Sequence, residues 1–245
     1  MAGDDARRAA AEFVGIFALT FVGAGSIMAS GNNLLAVAAA HGIILAVMVS
    51  AVGHISGAHF NPAITFGFLI TGRIVPLIAV AYWVAQFAGA TLAALLLKWI
   101  FPNVIVSGAK LGAPALSPAI GVFPGLILEL IMTFFLAWVV FATAADPRGA
   151  FKSVAGFAIG LTIAADILMG GPLTGAAMNP ARAFGPQLVG GYWSDGWIWY
   201  LGPLLGAGIA ALAYEYLYLR PVRPVPVGPP ETGVEEPRPG DAAVS

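Results

Sequence analysis

The chain has 245 residues, 59% of them hydrophobic and 9% charged, with a net charge of −1 and no cysteine. An average soluble domain carries roughly 25% charged residues, so an ordinary soluble globule and a basic-patch nucleic-acid binder are excluded. Disulfide and thiol chemistry are excluded as well.

No Lys, Arg, Asp or Glu occurs between Glu12 and Arg73. A membrane span takes about 20 apolar residues, and six segments meet that length: roughly 10–30, 35–55, 77–100, 121–144, 153–170 and 197–218. The first is too long for a signal h-region, lacks a cleavage pattern and reads as a retained helix. Two shorter apolar stretches begin at Asn61 and Asn179, each about ten residues, or half a bilayer at about 1.5 Å per residue. The fold class is therefore an all-α membrane protein with six transmembrane helices and two re-entrant half-helices. A single channel domain spans 1–219. The tail, 220–245, holds seven prolines in 26 residues and is expected to be disordered and cytoplasmic.

With both termini inside, Arg7, Arg8, Arg73, Arg148, Lys152, Arg220, Arg223 and Arg238 lie on the cytoplasmic side. Lys98 and Lys110 lie outside, and Arg182 falls within the membrane layer. That bias follows the positive-inside rule.

The chain repeats itself. Glu12 in "AEFVGIFALTF" corresponds to Glu129 in "LELIMTFFLAW", Asn61 to Asn179, and "GATLAAL" to "GAGIAAL", at offsets of 117, 118 and 117 residues. Each half, about 9–100 and 121–218, has three spans and one half-span. An odd number of spans makes the halves insert with opposite polarity, an inverted repeat.

The repeat carries "SGAHFNPAITFG" and "TGAAMNPARAFG". Asn is a good N-cap and Pro is favoured at the first helical position, so Asn61-Pro62-Ala63 and Asn179-Pro180-Ala181 each start a half-helix. Inverted symmetry brings the two N-termini together mid-bilayer. Each Asn oxygen should cap its helix, leaving the amide N–H groups free to donate to a permeating molecule. Each helix N-terminus adds about half a positive charge, which opposes cations.

These boxes, the paired glutamates and "AQFAGA" resemble the aquaporin (major intrinsic protein) family over about residues 9–218. "FATAADPRG" and "NPARAFGP" look most like plant tonoplast intrinsic proteins and their prokaryotic relatives. The resemblance implies a homotetramer with one pore per subunit. It also implies a passive channel for water and small neutral solutes, with no catalysis, cofactor or metal. By family position the selectivity filter is His41, Ile167, Ala176 and Arg182, a set that goes with ammonia, hydrogen peroxide and sometimes urea beside water. A glycerol facilitator is the alternative. Ala183, where such channels usually carry Asp, and Trp199-Tyr200 favour the water side. A secondary transporter would want coupling-ion ligands at the half-helix ends, where Asn, Pro, Ala and Phe stand instead. A closed-pore structural membrane protein is the third reading. The expected location is the plasma (inner) membrane of a prokaryote.

The remaining ionisable residues divide by role. Glu12 and Glu129 are expected to accept backbone N–H groups of the re-entrant loops. His41 is expected to hydrogen-bond Arg182. His59 is either structural or pore-lining, and His54 structural or at the vestibule. Asp166, beside Ile167 near the outer mouth, has two readings: a structural hydrogen bond to the filter loops, His41 or a neighbouring subunit, which is preferred, or a proton relay. The aromatic cluster at 192–200 reads as an interfacial belt. With no cysteine, and Ala176 where some relatives carry a reactive one, mercurials should leave conduction unchanged. Stopped-flow light scattering with and without a mercurial and excess thiol checks this.

Overall fold

The computed structural model describes residues 3–148 and 154–220. The tail expected to be disordered, with Arg223 and Arg238, and Lys152 in the fourth connection, lie outside the described residues. The spans are α1 (Gly3–Ala29), α2 (Leu34–Ser56), α4 (Pro76–Ile100), α6 (Val122–Val140), α7 (Ala155–Thr174) and α9 (Ile198–Tyr214). The half-helices are α3 (Pro62–Ile70) and α8 (Pro180–Gly190), and a short α5 (Asn103–Gly108) follows the third span. Two π-turns, Phe141–Ala145 and Glu215–Leu219, extend α6 and α9. Among the described residues, six helices are long and apolar enough to cross a membrane.

Local chemistry explains the boundaries. Asn33 caps α2 by accepting the Ala36 N–H at 3.0 Å, and Gly57 ends it in the left-handed region at φ 88°. Gly175 ends α7 the same way at φ 80°. Two boundaries differ from the sequence expectation. α1 starts at Gly3, because a helix can continue into water past its apolar run, with Asp4 and Asp5 favourably placed in its first turn. α7 runs to Thr174: Gly170-Gly171-Pro172 looks like a breaker, but the helix continues past Pro172 despite the N–H bond that proline forgoes, and the left-handed Gly175 ends it. α5 carries no signal strong enough to expect from sequence.

Within the first half α1 packs against α2 and α4, and within the second α6 packs against α7 and α9. The halves join through α2 on α7. Each half-helix leans mainly on the last span of the other half, α3 on α9 and α8 on α4, so neither half completes its own re-entrant loop. Charge separates by end. Arg8 and Arg73 share one cavity wall, and Arg73 pairs with Glu215 at 2.6 Å. Nearby, Arg148 pairs with Asp146 at 2.7 Å and donates to the Tyr218 carbonyl at 2.9 Å. That guanidinium lowers the Asp146 pKa from 3.8 to about 2. Lys110 and Arg182 line a cavity at the opposite end.

The closest helix crossings need glycine. A Cβ on Gly206 would sit 2.1 Å from the Leu130 carbonyl oxygen, and one on Gly89, the repeat equivalent, 2.5 Å from that of Phe13. Gly206→Ala should therefore force α9 off α6 and cost about 1–3 kcal/mol, the range for overpacking. A lower thermal midpoint of the detergent-solubilised protein, read against wild type, checks it.

Candidate conduction path

Two non-helical loops, residues 57–60 and 175–178, reach the middle of the bundle ahead of α3 and α8. Ala58 and Phe60 have φ of 50° and 48°, and Ala176 and Met178 have 43° and 50°. Such left-handed conformations cost on the order of 1–3 kcal/mol each outside glycine. The loops also take N–H groups out of helical pairing at a depth where lipid offers no acceptor.

Two fully buried carboxylates accept those N–H groups. Glu12 takes the N–H groups of His59 at 2.9 Å and Phe60 at 2.6 Å, the Ser56 hydroxyl at 2.7 Å and the Gln86 amide at 2.8 Å. Glu129 takes the N–H groups of Ala177 at 3.0 Å and Met178 at 2.8 Å, and the Thr174 hydroxyl at 2.7 Å. A second matched pair ties the loop starts to the spans: Tyr82 donates to the Ser56 carbonyl at 2.6 Å and Trp199 Nε1 to that of Thr174 at 3.0 Å. Trp199 is therefore not part of an interfacial belt. It is fully buried, whereas Trp193 and Trp197 are half exposed.

The Asn-Pro boxes meet through these loops. Asn61 Oδ1 accepts the Ala63 N–H at 2.9 Å, and Asn179 Oδ1 accepts those of Ala181 and Arg182 at 3.1 and 3.2 Å. Pro62 and Pro180 occupy the first helical positions. The amides are not wholly free. Asn61 Nδ2 donates to the Met178 carbonyl and Asn179 Nδ2 to the Phe60 carbonyl, both at 2.8 Å. Each asparagine thus uses one amide hydrogen to hold the opposite loop and keeps one. The sequence reading missed this because a carbonyl acceptor on another segment leaves no side-chain signature.

Beside the boxes lies a cavity of about 20 Å³, lined by Leu45, Ile159, Ile163, His59, Asn61 and Asn179 among others. A single water needs about 10–15 Å³ by this measure, so the cavity has room for about one molecule. His59 lines this cavity and packs its ring 4.4 Å from Phe68 and 5.3 Å from Tyr82. The lone Thr65 hydroxyl hydrogen goes to the Asn61 carbonyl at 3.1 Å. His59 Nδ1, 3.1 Å from Thr65 Oγ1, therefore donates to that hydroxyl oxygen.

Toward the other end His41, Ile167, Ala176 and Arg182 are all buried. His41 Nδ1 is 2.8 Å from the Val37 carbonyl. A carbonyl only accepts, so Nδ1 carries the hydrogen and Nε2 is a bare acceptor. Arg182 Nη2 stands 3.3 Å from that Nε2, and Nη1 donates to the Gly112 carbonyl at 2.8 Å. The guanidinium is fixed from two sides, and its Nε has no partner among the described residues. It opens onto a vestibule of about 780 Å³ with Lys110 and Asn32 in its wall. Gly112 sits in a connection that no motif marks. Ile167 and Ala176 lie in the central apolar cluster. Asp166 is also buried, but among the described residues it bonds neither His41 nor the loops, and its Oδ2 has no partner there. His54 is exposed in the last turn of α2.

Glu129→Ala should leave three donors unpartnered, at about 1–3 kcal/mol each. The expected outcome is a large loss of folded protein and of thermal stability. Glu129→Gln should be milder, with unchanged solute ranking in whatever folds. Fluorescence size-exclusion and melting curves measure the first effect, and stopped-flow measures the second.

Comparison with known proteins places this geometry. Residues 3–214 match the family described as Major intrinsic protein. The chain is 47% identical to the probable aquaporin TIP-type alpha of Phaseolus vulgaris, covering 91% of this chain and 89% of the relative. It is 43% identical to aquaporin TIP1-2 of Zea mays, covering 91% of each. The X-ray structure of the aquaglyceroporin from Plasmodium falciparum superposes with a TM-score of 0.78 at 22% identity, over 87% of this chain and 96% of that one, which shows a common fold. The relatives named are plant proteins, so the expected prokaryotic plasma membrane draws no support from them.

Proposed function

The chain belongs to the major intrinsic protein family, and from that premise we infer that it is an integral membrane channel conducting water passively. One observation supports this reading most: two Asn-capped helix N-termini meet beside a cavity with room for about one water. A water there offers its oxygen to the remaining amide hydrogens of Asn61 and Asn179. Both its own hydrogens then point away from that site, so the hydrogen-bonded file is interrupted and protons do not hop across. The two N-termini, each carrying about half a positive charge, oppose cations.

Arg182, His41, Ile167 and Ala176 form the filter in this proposal. Placing an arginine in the membrane layer costs about 2.5–3.5 kcal/mol. Here its N–H groups are directed at His41 Nε2 and the Gly112 carbonyl, which holds a fixed positive donor at the aperture. Ile167 makes one wall apolar. That combination admits ammonia, hydrogen peroxide and urea beside water, and it excludes ammonium and other cations. Four copies form the functional assembly, each with its own pore.

Reconstituted vesicles should shrink rapidly under an osmotic gradient, at a rate that imposed ion or proton gradients leave unchanged. Flux coupled to such a gradient would point to a transporter, and fast glycerol uptake to the glycerol reading. His41→Phe should lower ammonia and peroxide flux more than water flux, measured by stopped-flow for each solute in turn.

A further inference from the structure

The groups that hold Arg182 are themselves seated on two adjacent residues of α1, and each seat is tight. A Cβ built on Gly23 would lie 2.4 Å from His41 Nε2 and 2.5 Å from its Cδ2. The imidazole edge that accepts from Arg182 therefore rests directly on the bare backbone of Gly23. The next residue, Ala24, receives the other holder. A Cβ on Gly112 would lie 2.6 Å from the Ala24 Cβ and 2.8 Å from its Cα. Gly112 has φ 71° and follows two further left-handed residues, Lys110 at 49° and Leu111 at 53°. Leu111 is fully buried in a cluster with Ala24, Met28, Ala94 and Leu97. The turn that points the Gly112 carbonyl at Arg182 is thereby clamped against α1.

The other half of the repeat serves as an internal control. Gly23 corresponds to Val140, Ala24 to Phe141, and His41 to Ile159, at offsets of 117, 117 and 118 residues. Val140 and Ile159 together line the cavity of about 20 Å³ beside the asparagines. The same pair of positions thus carries two branched side chains in one half and a glycine under an imidazole in the other. With Val at position 23, the His41 ring would have no place to lie.

We propose that Gly23 and Ala24 are specificity-determining positioning residues, which set the aperture by fixing His41 and the Gly112 carbonyl, and through them the Arg182 guanidinium. The proposal rests on the filter assignment made above. Neither residue touches the permeating molecule; each acts through a neighbour. A methyl at position 23 drives the imidazole off α1 toward the lumen and breaks the contact to Arg182 Nη2. The aperture narrows and one holder of the guanidinium is lost.

The test is a double-mutant cycle in vesicles, with flux normalised to folded protein. Gly23→Ala should lower peroxide and urea permeability relative to water by several-fold. In the His41→Ala background the same substitution should change nothing, because the ring it displaces is gone. A purely structural role for Gly23 would show the same loss in both backgrounds, and that result overturns the proposal. If Gly23→Ala alone misfolds, the double variant should recover folded yield, and failure to recover it also overturns the proposal. Wild-type water flux with ratios that Gly23→Ala leaves unmoved refutes this inference alone, whereas wild-type vesicles without water flux refute the channel reading as well.

Discussion

Non-helical backbone at membrane depth has to find every hydrogen-bond partner within the protein, and the rest of this structure follows from that constraint. Lipid supplies none, and an unsatisfied buried N–H costs about 1–3 kcal/mol. The loops at 57–60 and 175–178 meet the demand in two layers. Behind them, Glu12 and Glu129 accept the freed N–H groups. In front, the Asn61 and Asn179 amides reach the carbonyls of the opposite loop. Removing either layer exposes the other, so the carboxylates and the asparagines act as one unit.

That unit also explains why the halves interlock. A carbonyl of each loop is held by the asparagine of the other half, and each half-helix packs on the other half's last span. The symmetry is close but incomplete, and its breaks are informative. Gln86 donates to both Glu12 and Thr65. Its equivalent 117 residues on is Pro203, which carries no such donor, so the first loop is braced by one more bond. Ile64 corresponds to Arg182, and Ile159 to His41. The departures from symmetry bring together the polar pair His41 and Arg182, the proposed filter, and put the aliphatic Ile159 and Ile64, at the equivalent positions, in the wall of the small cavity beside the asparagines.

The filter end has little freedom. Arg182 is gripped by an imidazole acceptor and a backbone carbonyl, and both grips are seated on α1. If His41, Ile167, Ala176 and Arg182 form the filter as proposed, its aperture is adjusted by packing two residues removed from the permeating molecule, without any change in those four positions.

The sequence by itself determined the membrane class, the six spans, the half-helices and the repeat, because apolar run length, Asn-Pro capping chemistry and a constant offset are local or periodic signals. It also pointed to Glu12 and Glu129, since an intramembrane carboxylate at matched positions has few roles open to it. Only the tertiary structure decided what each polar group bonds. The second use of the asparagine amides, the Gly112 carbonyl at Arg182 and the burial of Trp199 all depend on segments far apart in the chain. Backbone acceptors have no residue identity for a sequence pattern to register. Ser56 and Thr174 fall between these cases: a hydroxyl recurs at the repeat offset, but its carboxylate partner appears only when α1 and α6 are folded against the loops.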